Sequence, residues 1–228
     1  MKNLAFLFRL CLMSFVTLGL FSCLQKVDFR EQNTSSNTRT DRYCKKLKAN
    51  MTLVKYLELS DDEYVLNISQ SDAEKMGVPK EFYDEALSEV DKANAFIKEM
   101  QKDPNNELQL TDPKTATKVD PIWNQSTSYV GLGGTLRTSG QEEAMSPHVW
   151  APIYTKGIEF LCRANAAVTP IYSCKTYSSG SIQSKRALGM LGFKTIVKVP
   201  LYVSNDWIRV SFQTTDSYGG TAAYSGYQ

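Results

Sequence analysis

From Phe82 to Met100 the apolar positions recur at three- and four-residue steps: Phe82, Tyr83, Ala86, Leu87, Val90, Ala93, Ile97 and Met100. Asp84, Glu85, Ser88, Glu89, Asp91 and Lys92 fill the opposite face, so the spacing predicts an amphipathic helix laid on a core. Pro79 opens that helix, where a missing N–H costs nothing, and Asp103-Pro104-Asn105-Asn106 stops it. Just upstream, Ser71-Asp72-Ala73-Glu74 has the Ser-x-x-Glu form of a capping box, with Gly77 placed to end a short helix. Tyr64, Leu66 and Ile68 alternate with Val65 and Asn67 as a short strand.

From Ile158 the period changes to two. Ile158, Phe160, Cys162 and Ala164 share one strand face, and Tyr172, Cys174 and Thr176 share another after a turn near Val168-Thr169-Pro170. Pairing those strands about that turn sets Cys162 opposite Cys174, which makes them the candidate disulfide. Ser178-Ser179-Gly180-Ser181 reads as a loop. Phe193, Val197, Val199, Leu201 and Val203 then alternate with Lys194, Lys198 and Tyr202. Ile208, Val210 and Phe212 alternate with Trp207, Arg209 and Ser211 beyond a turn at Ser204-Asn205-Asp206. Ser217-Tyr218-Gly219-Gly220 is a further turn. Residues 103–157 are rich in loops, punctuated by prolines. The expected class is α+β, with a helical N-terminal segment (42–102) packed with an antiparallel β-sandwich or partly open barrel (103–228).

The first residues follow a different logic. Lys2 and Arg9 precede an almost wholly apolar run from Leu10 to Phe21, too short for a hydrocarbon core that needs about 20 apolar residues. Residues 1–22 therefore read as a secretory signal peptide, set apart from the fold. Leu20-Phe21-Ser22-Cys23 resembles the lipobox of bacterial lipoproteins, although Phe21 is bulkier than that family's usual residue. The resemblance implies cleavage before Cys23, acylation of that cysteine and attachment to the membrane by more than one chain. The alternative is a secreted protein cut near Ser22, with Cys23 a bystander. Residues 23–41 are polar with few apolar anchors and read as a lipidated, flexible tether. Signal, tether and domain order together resemble small envelope lipoproteins of Bacteroides-like bacteria, a likeness that carries no functional residue beyond Cys23.

Charge then narrows the partners. The whole chain carries a formal +2; loss of the signal removes Lys2 and Arg9 and no acid, leaving a neutral mature chain. Nucleic-acid binding normally shows as a basic stripe, and none exists. The helical corner around Ala73, Gly77 and Val78 has the spacing of a DNA reader, but its second helix presents Glu81, Asp84, Glu85 and Glu89, which repel phosphate. Cys44, Cys162 and Cys174 remain after Cys11 leaves and Cys23 is acylated; three reduced thiols are the alternative to one bridge.

Catalytic chemistry finds little footing. His148 is the sole histidine, and neither it nor any cysteine lies in a nucleophile signature. Gly131-Leu132-Gly133-Gly134 lacks the Lys-Ser/Thr of a phosphate loop. Asp61-Asp62-Glu63 lacks the alternating ligands of a calcium loop. No metal or cofactor is expected. Dispersed carboxylates suffice for glycoside cleavage, with Glu142, Glu143, Glu159, Asp206 and Asp216 as candidates in the β region. Aromatics on outward strand faces, above all Tyr202 and Trp207, form a candidate binding patch for glycan or an envelope protein. The expected role is that of a non-catalytic binding or accessory lipoprotein of the cell envelope, on the periplasmic face or surface of the outer membrane. A glycan or peptidoglycan hydrolase and a structural subunit of a surface complex are the alternatives.

Overall fold

The computed structural model describes residues 33–102, 110, 112–113 and 132–228, with side chains from residue 38 onward. Cys23 and residues 1–22, the expected signal segment, lie outside the described residues. The chain divides into two compact units, Met1–Arg42 and Tyr43–Gln228. Of the first, the helical stretch 33–42 is described; the helical layer and the sandwich both belong to the second.

The helix α1 spans Asn33–Leu53, so it begins inside the stretch whose composition reads as a tether. Once a helix is nucleated, each added residue gains a hydrogen bond for one residue fixed, and a polar sequence can extend it. Its later part supplies the core with Ala49 and Leu53. A single 3₁₀ turn, Val54–Tyr56, leads into the hairpin β1 (Leu57–Ser60) and β2 (Glu63–Leu66). Asp61 and Asp62 hold positive φ between them, as a two-residue hairpin turn requires.

Helix α2 covers Gln70–Lys75 and is capped two residues earlier than the Ser71 pattern suggests. The Ser69 hydroxyl accepts the Asp72 N–H at 3.1 Å and donates to Asp72 Oδ2 at 2.7 Å. Asp72 thus takes the place expected of Glu74, with a side chain one methylene shorter. Gly77, at φ 82°, ends the turn. Helix α3, Lys80–Met100, has Pro79 at its N-cap and buries the predicted face. Leu87 is 36% exposed, however, while Phe96 is buried. Asn94 on this helix accepts the Tyr64 N–H at 2.8 Å and donates to the Tyr64 carbonyl at 2.9 Å, pairing with β2 as a strand would.

The β-rich part is an antiparallel sandwich of two sheets. One joins β4 (Ala144–Met145) and β5 (Val149–Ala151) to β10 (Asp206–Thr214), then β7 (Ile171–Ser178) and β8 (Ser181–Leu188). The other orders β3 (Gly133–Thr138), β11 (Gly220–Tyr227), β6 (Gly157–Ala164) and β9 (Thr195–Pro200). Inward residues such as Ile158, Phe160, Tyr172, Val210 and Phe212 are fully buried between them. Gly133 and Gly134 of the glycine cluster begin β3, where a side chain at Gly134 would run into the ring of Tyr224.

Strands β6 and β7 do not form the hairpin their spacing suggests. β6 pairs with β11 and β9, whereas β7 pairs with β10 and β8. Residues 165–170 carry the chain across the sandwich, so that the apolar faces of β6 and β7 meet from opposite sheets. β8 occupies the residues after the Ser178–Ser181 turn, where no strand was expected.

A second apolar cluster lies outside the sandwich. It unites Phe82, Val90, Phe96 and Ile97 of the helical layer with Val168, Leu188, Met190, Leu191 and Phe193. Ile171 and Leu188 are directly opposite in the β7–β8 ladder, on the face that points away from the sandwich interior. The helices therefore cover one end of that outer face and leave the other end open.

Candidate functional site

The open end is built by alternation. Along β10, Ile208, Val210, Phe212 and Thr214 point inward and are buried, so Trp207, Arg209, Ser211 and Gln213 point outward. At about 3.4 Å per residue, Trp207 to Ser211 spans about 14 Å of strand. Trp207 lies opposite Trp150 of β5. The two indoles meet edge to face, with centroids 5.6 Å apart and planes at 70°, yet Trp207 is 58% and Trp150 44% exposed. Such a pair contributes about 0.5–1.5 kcal/mol beyond the area it buries, and here it does so with much of both rings in water.

A polar row continues from the indoles. Arg209 is opposite Tyr177 of β7, and its Nε donates to the Ser146 carbonyl at 3.1 Å. Glu143 Oε1 accepts from the Ser211 hydroxyl at 2.5 Å, the Tyr177 phenol at 3.0 Å and Lys175 Nζ at 3.1 Å. The Ser211 hydroxyl above all, helped by Lys175 and Tyr177, holds the Glu143 carboxyl below the ordinary carboxylate range. Glu143 in turn raises Lys175. At the strand's start, the Asp206 carboxylate takes the Ser179 hydroxyl and the Trp207 N–H, and its pKa is lowered, chiefly by the serine. Each of these polar side chains is fixed by another side chain or by backbone, which keeps the face in one arrangement.

Of the residues singled out from sequence, Trp207 is at the centre of this face. Tyr202 is not on a strand: β9 ends at Pro200, and Tyr202 stands on the connection to β10, 70% exposed. One further bond, from the Leu201 N–H to the Lys156 carbonyl at 2.9 Å, continues past Pro200 before the chain turns away. Trp150, Tyr177, Arg209, Lys175 and Glu143 complete the face. The alternation of β10 already placed Arg209 and Ser211 beside Trp207, but nothing local in the sequence couples Trp150 to them.

The other carboxylate candidates are engaged elsewhere. Glu142 Oε1 accepts the Ser139 N–H and hydroxyl at 2.7 and 2.8 Å. Glu159 lies 3.5 Å from Lys198. Asp216, 1% exposed, takes the backbone N–H groups of Ala166 and Ala167 on one oxygen, at 2.5 and 2.8 Å, and that of Tyr218 on the other at 2.8 Å.

A charged cluster joins the helices to the same crossing segment. Buried Lys46 Nζ lies 2.8 Å from Glu85 and 3.0 Å from Glu89, whose second oxygen accepts the Val168 N–H at 2.7 Å. Burial pushes the Glu89 carboxyl up, against the pull of Lys46. Burial also works against the Lys46 charge, but Glu89 and Glu85 more than offset it and leave Lys46 raised. Asn50 donates to the Ala166 carbonyl at 2.7 Å. With its acids committed to backbone and lysine, this cluster fastens the crossing segment to the helices.

Exposed His148 precedes β5. Among the described residues, no three His, Cys, Asp or Glu side chains gather as a metal site, and no helix is long and apolar enough to cross a membrane. Cys162 and Cys174 are buried free thiols with Sγ atoms 3.7 Å apart. They face each other across the sandwich rather than along a hairpin.

No protein-family model and no curated protein matches the chain. A solved structure that does match is the Drosophila melanogaster CENP-C cupin domain, at 10% sequence identity and a TM-score of 0.26. That match covers 54% of this chain and 84% of the other, and a likeness so faint carries no argument about fold or function.

Proposed function

We propose that this protein is a cell-envelope lipoprotein, attached through Cys23 to the outer membrane, that binds glycan without turning it over. The observation that carries the binding half is the Trp150–Trp207 pair, exposed on a sheet face beside a fixed polar row. Indole rings offer apolar contact to the C–H faces of a sugar ring. Tyr177, Lys175 and Arg209 supply hydroxyl and cationic groups for its oxygens, while buried Ser211 holds Glu143 in place beneath them. Because the network already holds these side chains in place, little ordering cost falls on binding.

The absence of turnover rests on the carboxylates. Hydrolysis by paired acids needs one to give a proton and the other to attack or activate water. Glu142 and Asp216 are spent on backbone N–H groups, and Glu143 accepts three donors at once. A structural subunit is the second reading, supported by exposed Ile153, Tyr154, Tyr202 and Val203 on loops of the sandwich.

The test is titration with a panel of neutral and acidic envelope oligosaccharides, followed by tryptophan fluorescence and calorimetry. Binding that falls roughly tenfold or more in Trp207→Ala, with unchanged unfolding, supports the reading. Saturable binding that ignores both Trp207→Ala and Trp150→Ala overturns it. Cys23→Ala is read separately by intact mass and membrane fractionation, so the address and the binding face stand or fall independently.

A further inference from the structure

Cys162 sits on β6 and Cys174 on β7, two strands of different sheets that share no ladder. Both side chains point into the interior, both are fully buried, and their sulfurs are 3.7 Å apart across the two layers. A disulfide needs about 2.05 Å between sulfurs, so the remaining approach is less than the reach of a side-chain rotation. The surroundings are Phe160, Tyr172, Phe212 and other apolar groups of the same cluster. Burial pushes the Cys162 thiol well above its ordinary value, with Cys174 beside it adding to the effect. In the closed sandwich both sulfurs are out of reach of solvent, while they already lie in contact with one another.

We propose that Cys162 and Cys174 are a structural disulfide site joining the two sheets, one that is oxidised only while the chain is open and is then enclosed by the sandwich. In the open chain the Cys162 thiol loses its proton, and the thiolate attacks a disulfide of glutathione or of an oxidised dithiol protein. A mixed disulfide forms and one partner sulfur leaves as thiolate. The Cys174 thiolate then displaces the second partner sulfur, giving the Cys162–Cys174 bond. Two electrons end on the partner, whose two thiolates take up the two protons. While the sandwich stays closed the same exchange is blocked, because the oxidant has no access to the interior, and it proceeds only through openings of the fold. The site is thus set once, at folding, and does not act as a reversible switch.

The sequence supplies a clean readout. Trypsin cuts after Lys156, Arg163 and Lys175, so each cysteine falls in its own peptide, 157–163 and 164–175. The reduced protein is divided into two samples in one mixture of oxidised and reduced glutathione: one refolded from urea, one kept folded. Free thiols are then alkylated under denaturing conditions and the peptides weighed. The refolded sample is expected to give the two peptides linked, and the folded sample to link more slowly by about tenfold or more. Cys174→Ala should abolish the link and leave the Cys162 peptide alkylated. Separate peptides after refolding, or a link from Cys44 to either, would overturn the assignment. Equal rates in the two samples would overturn enclosure. Linked peptides in protein recovered directly from exporting cells support it without any refolding step.

Discussion

Replacing Asp216 by alanine tests what holds the crossing segment between β6 and β7. The carboxylate accepts two buried N–H groups, from Ala166 at 2.5 Å and Ala167 at 2.8 Å, and the half-buried Tyr218 N–H at 2.8 Å. A buried donor left without an acceptor costs about 1–3 kcal/mol. Two such donors give about 2–6 kcal/mol, and since the Tyr218 N–H can turn to water, we expect a loss of about 4 kcal/mol. With a urea dependence of about 2 kcal/mol per molar for a domain of this size, the unfolding midpoint should fall by about 2 M. Asp216→Asn retains one acceptor but opposes an amide N–H to a backbone N–H, so its midpoint should lie between the two. The assay is urea unfolding followed by circular dichroism and tryptophan fluorescence. A midpoint for Asp216→Ala within about 0.3 M of the parent, with matching slopes, would show that water or relaxation satisfies these donors and would refute the reasoning.

Two further outcomes follow from turn geometry and titration. Gly219 and Gly180 both hold φ 77°, but a Cβ at Gly219 would lie 2.1 Å from the Thr138 carbonyl oxygen, whereas Gly180 has nothing within 4 Å. Gly180→Ala should cost about 1 kcal/mol for the left-handed conformation, and Gly219→Ala clearly more, because backbone must move; equal midpoints would contradict the clash. Glu143 is depressed below its ordinary 4.5, so its contribution to stability is present above that value and is lost as pH falls through the lower, folded-state value. Glu143→Gln should flatten that part of the stability profile below pH about 4.5, and an unaltered profile there would show that the network contributes nothing.

Periodicity made much of this fold legible. Helix α3 and strands β6, β7 and β10 each bury one face, and the apolar residues on that face mark both the element and its orientation. β8 escaped because it is an edge strand in the order ending β7-β8, with Gln183, Ser184, Lys185 and Arg186 in its middle. A strand at the edge whose middle is largely exposed has little reason to alternate, and charges there discourage pairing with other chains. Leu87 and Phe96 show the same limit within α3: the apolar stripe was right, but which residue faced the sandwich depended on elements far along the chain. Pairing was hidden for a related reason. The period says which way Cys162 and Cys174 point but not which strand lies beside each, so the two cysteines were brought together for the wrong reason, by a hairpin instead of a crossing between sheets. Trp207 was recognisable as an outward aromatic, yet its value to a binding face depends on Trp150, which only the β5–β10 ladder places against it.

The strand order of the second sheet has a consequence for assembly. β3 and β6 are neighbours only through β11, which follows both in the chain and lies between them. As the polypeptide lengthens from its N-terminus, those two strands wait with open edges until their common partner arrives. Such a late keystone makes the sandwich a fold of long sequence separations, slow to form compared with a helical protein of equal size. It also leaves one edge of β6 and the whole of β3 without a partner in that sheet until nearly all of the strands exist.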